Sequence, residues 1–321
     1  VVRQWLVSPS NAVPDARYGW VTPPHARVVH SAEGWSAERT NSMGLLDDEL
    51  RVPRARVRAV LLGDSYTEAL QVSRRDNFGS VAERLMPGLE VVNVGYSGRS
   101  PVDYADWLEE YAPRLAPDVV IVQINNGDLR DLLAPEVQAR LAADSAPPSG
   151  PRPEGRLART ARNVLRSSSL VTVAQRRMVL LVNGERARLA KRFHKTGASS
   201  ADPAPTTLAA DPRLPALLDA LHRRVAAHAP RLIYVYIPSI DYFGPRVDYG
   251  DAQAAAFYHA FAARNQVTLV DPIDRFKAEF ARTGQPLHGF SNSVLGSGHI
   301  NAAGHRMLGE ELARAVAEAM R

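Results

Sequence analysis

The sequence predicts an α/β fold built on a parallel sheet. Short apolar runs recur at 57–62, 89–94, 118–124, 232–237 and 267–270, each of the length of a buried strand. Segments with helical spacing lie between and after them, at 78–85, 104–115, 213–228, 251–264 and 301–320. The run at 118–124, Asp-Val-Val-Ile-Val-Gln-Ile, has the solid apolar character of a strand covered on both faces. Strands alternating with helices make a mainly parallel five-stranded sheet clothed by helices on either side.

The punctuation agrees with that reading. The first two strands end at Gly63 and Gly95, and the helix at 104–115 stops before Pro117. Asn301 is a good cap for the terminal helix. Ahead of the first strand, residues 1–54 carry Pro9, Pro14, Pro23, Pro24 and scattered glycines with little periodicity, so they read as an irregular segment packing on the core. The main domain then spans 55–321, interrupted at 135–211 by an insertion that is basic and largely helical. That insertion is longer than a simple connection needs.

A chain of 321 residues with 45% hydrophobic content has ample material for one large domain. No apolar run approaches the length of a membrane span, the longest pure stretch near the middle being 178–182. The chain begins at Val1 without Met, so any signal peptide or membrane tether lies upstream. A periplasmic or extracytoplasmic location is expected over a cytoplasmic one. The absence of cysteine excludes disulfides, thiolate metal sites and a cysteine nucleophile.

Net charge is +5 overall, yet residues 151–195 hold twelve Lys or Arg against Glu154 and Glu185. Such a patch suits an anionic polymer or protein partner, or simply a solvated helix face. No zinc finger, GxxG loop or aromatic RNP pattern accompanies it, which argues against nucleic acid.

Four strand-end or loop motifs carry candidate chemistry. Gly63-Asp64-Ser65 follows the first strand, and a serine there projects at the top of the sheet with its N–H at a helix start. Asn93 to Gly98 follows the second strand, where Gly98 can offer an N–H to a substrate oxygen. Asn125-Asn126-Gly127-Asp128 follows the third; an Asn carboxamide there can donate to an oxyanion, and Asp128 can bond backbone N–H groups to hold the loop. His299 sits just before the terminal helix, a suitable place for a general base. His305 reads as structural or supporting. No histidine pair has metalloenzyme spacing, so neither a metal nor another cofactor is expected.

In this order the motifs resemble the SGNH/GDSL hydrolase family. The resemblance implies a flavodoxin-like three-layer α/β/α sandwich over about 56–134 and 212–321. It implies Ser65 as nucleophile, His299 as base, and Ser65, Gly98 and Asn126 around the oxyanion, with Asp64 and Asp128 in support. The stretch from Arg39 to Leu45 also resembles the lead-in of many bacterial members, some of them membrane-anchored. The implied activity is hydrolysis of an acyl or acetyl ester, on an acylated small molecule or glycan. Transfer of the acyl group to a polysaccharide, and a catalytically weak binding protein on the same scaffold, are the alternatives.

Two departures stand out. The family's third block reads Gly-x-Asn-Asp, but here Gly127 precedes Asp128 and the asparagines come earlier. The family's acid lies two or three residues before the histidine, where this chain has Ser297 and Gly296. A Ser–His dyad, with His299 oriented by a backbone carbonyl or by Ser297, is the favoured expectation. An acid from Asp271, Asp274 or Asp128, or a weakened site, are the other readings.

Overall fold

The computed structural model describes residues 12–15, 18–142, 209–243, 246–249 and 252–321. The basic segment at 151–195, and the expected insertion apart from 135–142 and 209–211, lie outside the described residues.

Five strands form the central sheet: β5 (Val57–Leu62), β6 (Leu89–Asn93), β7 (Val119–Asn125), β8 (Leu232–Ile237) and β11 (Thr268–Val270); β9 (Asp241–Phe243) and β10 (Arg246–Asp248) pair antiparallel outside it. Within the sheet the spatial order is β11-β8-β7-β5-β6, and every pairing is parallel. The chain runs from β5 out to β6 at one edge, then crosses back to β7 on the other side of β5. The strand order therefore reverses between β5 and β7, which is where a parallel α/β sheet opens a crevice at its carboxyl end.

Side chains alternate between two cores, as a strand demands. Val60, Leu62, Val120, Val122, Tyr234 and Tyr236 pack against α3 (Pro101–Leu115), α6 (Leu214–Ala226) and α7 (Ala252–Asn265). Ala59, Leu61, Ile121, Ile233 and Val235 pack on the other face against α2 (Phe78–Leu85), α8 (Ile273–Thr283) and α9 (Ala302–Ala319). The result is the expected three-layer sandwich. Two charges sit inside it as a pair: Arg58 on β5 donates to Glu90, its register partner on β6, at 2.7 Å. A second Arg58 N–H donates to the Leu115 carbonyl at 2.9 Å.

Two helices depart from the sequence reading, α8 and α4 (Asn126–Leu132), whereas α5 (Pro135–Ala142) opens the stretch expected to be largely helical. Gly127 in the first turn weakens the helical trace of α4, whereas α8 carries Ile273, Phe276 and Phe280 at helical spacing. The segment up to 54 also departs from expectation. Its described part contains two antiparallel hairpins, β1 (Val13–Asp15) with β2 (Gly19–Val21), and β3 (Arg27–His30) with β4 (Ser36–Arg39). Strands of three or four residues carry too short an alternation to be read from sequence.

The β3–β4 hairpin is fastened to the rim of the sheet. Trp35 N–H donates to the Gln71 carbonyl at 3.1 Å, and the Ser36 hydroxyl to the Leu70 carbonyl at 2.6 Å. Asn292 accepts from Gly34 N–H at 2.8 Å and donates back to the Gly34 carbonyl at 2.7 Å. Gly34 has φ +65, and a Cβ there would lie 2.0 Å from the Gln71 carbonyl oxygen, so only glycine lets the hairpin tip come this close.

Gly309 plays a comparable part where α9 crosses α2. A Cβ at 309 would sit 2.5 Å from Val81 Cβ and 2.7 Å from the Phe78 carbonyl oxygen. Alanine would gain up to about 1 kcal/mol in helix propensity, but overpacking against backbone costs about 1–3 kcal/mol. Gly309→Ala is expected to lower the melting temperature in a thermal scan; an unchanged or higher value would show that the two helices separate freely.

Candidate active site

Ser65 is the first residue of a single helical turn, α1 (Ser65–Glu68), immediately beyond β5. Asp64 caps the turn, its Oδ1 accepting from Tyr66 N–H at 2.9 Å. Beneath it lies Gln123 of β7, fully buried, whose Oε1 accepts from Asp64 N–H and the Thr67 hydroxyl, both at 3.1 Å. The Thr67 carbonyl accepts from two asparagines, Asn77 at 2.7 Å and Asn93 at 2.8 Å. Gly63 and Gly95 permit this packing, since a Cβ on either would come within 2.4 Å of the Thr67 side chain. The serine thus stands on a turn bonded to β7, to the end of β6 and to the start of α2.

His299 immediately precedes Ile300, which forms an antiparallel bridge with His288, on the loop into α9. Its Nε2 lies 2.8 Å from Ser65 Oγ. Its Nδ1 lies 2.6 Å from Oε2 of Glu33, and its backbone N–H donates to Oε1 of the same carboxylate at 2.9 Å. A carboxylate only accepts, so the imidazole proton belongs on Nδ1 and the lone pair of Nε2 faces the serine hydroxyl. Gly298, with φ +80, makes room: a Cβ there would lie 2.2 Å from Glu33 Oε1. The Tyr66 ring packs on the imidazole at 4.8 Å between centroids.

The dyad expectation is therefore corrected. Ser297 is exposed and makes no hydrogen bond to His299 among the described residues. Asp128 bonds to Asn125 N–H and the Tyr104 hydroxyl, and Asp271 to His259 and Ile273 N–H. Asp274 lies in the first turn of α8. Glu33 comes from the tip of the β3–β4 hairpin, in the segment read as irregular. Its burial alone would raise its pKa, but the hydrogen bond and the charge of His299 outweigh that and hold the carboxyl below the usual glutamate value.

The loop after β6 brings Gly98 to the rim with φ +80 and an N–H that has no partner among the described residues. Glu68 pins this loop by accepting from Ser97 N–H at 2.9 Å and from the Ser97 hydroxyl. Of the two asparagines after β7, Asn125 is turned inward. Its Nδ2 donates to Asp64 at 2.9 Å, and its Oδ1 accepts from Gly127 N–H at 2.6 Å. Asn126 accepts at Oδ1 from the Tyr236 hydroxyl and donates through Nδ2 to the Ser239 hydroxyl, each at 2.7 Å. Asp64 and Asp128 lie below this layer; burial raises both carboxyls above the usual range, and the Asp64 charge adds to the rise at Asp128. His305 serves structure, accepting from Phe78 N–H at 3.3 Å, with burial pushing its pKa down to about 3. Among the described residues no group of three or more His, Asp or Glu is placed to hold a metal ion.

A parallel α/β/α sandwich with a Ser–His–Glu arrangement at the carboxyl ends of its strands has the form of a serine hydrolase. The model of the GDSL-like lipase/acylhydrolase family matches residues 61–307, and the chain belongs to that family. Glu33 lies outside the matched span. Solved structures are similar at low identity. A lipolytic G-D-S-L protein from Veillonella parvula is 12% identical, covering 81% of this chain and 98% of its own, with a TM-score of 0.43. The acetylxylan esterase Axe2 from Geobacillus stearothermophilus is 16% identical, with 82% and 94% covered and a TM-score of 0.42. Phospholipase A1 from Streptomyces albidoflavus is 14% identical, with 82% and 99% covered and a TM-score of 0.42. No curated protein matches the chain.

A carboxylate whose pKa is depressed on folding stabilises the fold above its unfolded pKa, and the contribution is lost as pH falls through the lower, folded value. Wild type is therefore expected to be more stable than Glu33→Gln at pH ~7, with the gap closing below pH ~4. Urea titrations of both proteins at the two pH values measure this. A gap that stays constant with pH would show that the Glu33 charge is not coupled to folding.

Proposed function

We propose that the chain is a serine-dependent ester hydrolase with Ser65 as nucleophile, His299 as general base and acid, and Glu33 as the acid of a triad. One observation carries this reading: the unbroken chain of hydrogen bonds from Ser65 Oγ through the imidazole to the Glu33 carboxylate, at 2.8 and 2.6 Å.

Ser65 Oγ attacks the ester carbonyl as its proton passes to His299 Nε2. The imidazolium that forms is stabilised by the Glu33 carboxylate already seated on Nδ1. Negative charge on the former carbonyl oxygen is met by the N–H groups of Ser65 and Gly98 and by the Asn126 carboxamide. Collapse of the tetrahedral adduct expels the alcohol, which takes the proton back from Nε2. Water then attacks the acyl-enzyme with His299 again as base. Asp64 and Asp128 hold the two strand-end turns in position. The rim of the site is polar, with Ser97, Gly98 and Ser239 all exposed. That favours an acyl or acetyl ester of a polar alcohol such as a carbohydrate.

The test is intact-mass labelling with a fluorophosphonate beside hydrolysis of p-nitrophenyl acetate. Wild type is expected to take one adduct, absent in Ser65→Ala. Glu33→Gln is expected to lose up to about 10⁴-fold in kcat, because an amide no longer enforces the Nδ1–H tautomer. Retained turnover in Ser65→Ala would remove this serine from the mechanism.

A further inference from the structure

The two backbone donors assigned to the oxyanion come from different loops. Ser65 N–H opens α1 after β5, and Gly98 N–H lies in the loop after β6. The bonds beneath α1 hold Ser65, but the direction of the Gly98 N–H needs its own cause. Tyr96 N–H donates to the Gly63 carbonyl at 3.1 Å, and Arg99 N–H returns to the Tyr96 carbonyl at 3.3 Å. Residues 96–99 thus close a turn with Gly98 in its third place at φ +80, as a type II turn requires. A Cβ on Gly98 would meet nothing within 4 Å, so no neighbouring atom braces the residue from that side. Glycine at this place lets the peptide between Ser97 and Gly98 turn over, which would reverse its N–H.

Glu68 supplies the brace. It is the last residue of α1, three positions beyond Ser65, and its own N–H donates to the Asp64 carbonyl at 2.9 Å. Its Oε2 accepts from Ser97 N–H at 2.9 Å and also bonds the Ser97 hydroxyl. A backbone N–H can only donate, so Glu68 is its acceptor whichever way the hydroxyl turns. Backbone and side chain of Ser97 are thereby held at one oxygen, which limits rotation at the residue before Gly98. Gly95 lets the loop come this close, since a Cβ there would lie 2.6 Å from Glu68 N. Burial raises the Glu68 carboxyl above the ordinary glutamate range; the Ser97 bonds and the Arg99 charge act against the rise, and Asp64 adds to it. Among the described residues Glu68 makes no hydrogen bond to His299 or to Ser65 Oγ, so it stands outside the proton relay.

We propose that Glu68 is a positioning residue of the oxyanion site. It fastens Ser97 to the helical turn that carries Ser65, and so aims the Gly98 N–H at the same acyl oxygen as the Ser65 N–H. The inference rests on the ester-hydrolase reading. Nucleophile and brace share one four-residue helix, so a single carboxylate sets the spacing of two N–H groups that come from separate loops. The effect falls on the transition state rather than on substrate binding, since charge on that oxygen develops only as the serine attacks.

The test is steady-state hydrolysis of p-nitrophenyl acetate together with inhibition by a trifluoromethyl ketone, whose adduct on the serine carries the oxyanion. Glu68→Ala should lower kcat about 10–100-fold with KM unchanged, and should weaken the ketone by the same factor. Glu68→Gln keeps an oxygen for Ser97 N–H and should stay within about fivefold of wild type. Ser97→Ala removes the hydroxyl contact alone; it should cost about fivefold in wild type and nothing further in Glu68→Ala. A loss confined to KM, a ketone affinity that does not follow kcat, or Glu68→Gln as poor as Glu68→Ala would overturn the proposal. So would equal losses from Ser97→Ala in both backgrounds. Ser97 is exposed, so if Glu68→Ala fails to fold, Ser97→Ala carries the kcat and ketone readings, and no loss there would also overturn it. Loss of Ser65-dependent turnover is a separate result: wild type matching Ser65→Ala would defeat the hydrolase reading itself.

Discussion

The bidentate seat of Glu33 on His299 is the constraint around which the site is arranged. One carboxylate oxygen takes the imidazole Nδ1 and the other the backbone N–H of the same residue. Both the tautomer and the ring orientation are thereby set by a single group. Several features that look unrelated in sequence are conditions for that contact. Gly34 lets the hairpin tip lie against Gln71, Gly298 leaves space for the carboxylate, and Asn292 clamps the Gly34 peptide group from both sides. The acid thus arrives from outside the sandwich, on a hairpin that has to dock before the triad exists.

Ser65, the proposed nucleophile, is held by a different device, a layer of buried amides and carboxyls under the strand ends. Gln123, Asn77, Asn93, Asn125, Asp64 and Asp128 connect the three βα turns by hydrogen bonds rather than by packing alone. Polar groups at this depth are costly unless paired, and paired they fix geometry tightly. Burial raises the Asp64 and Asp128 carboxyls above the usual range, while each accepts two hydrogen bonds.

Much of this was legible in the sequence because the parallel sheet writes itself as apolar runs. The five strands stand at or within one residue of the expected positions. The positions after those strands, Ser65, Gly98 and Asn126, come to one end of the sheet, and His299 joins them from the loop before α9. The acid was not legible. Glu33 is 266 residues from its histidine, sits in a five-residue loop between two four-residue strands, and replaces a position where local spacing pointed to Ser297. The signal that could have found it is the Glu33-Gly34 pair between two short β-branched or polar runs, a hairpin tip with an acid on it. The partners of Asn126 were hidden for a related reason. Tyr236 reads as an ordinary core residue of Leu-Ile-Tyr-Val-Tyr-Ile, and only the pairing of β7 with β8 brings its hydroxyl to the amide.

The most direct test of the Glu33 assignment is the low-field proton NMR spectrum of the resting protein. A proton on His299 Nδ1 held against a carboxylate at 2.6 Å should give a strongly deshielded resonance in wild type that disappears in Glu33→Gln and in His299→Ala. A resonance lost in His299→Ala but retained in Glu33→Gln would mean that another group orients the histidine, and the hairpin would no longer be part of the catalytic apparatus.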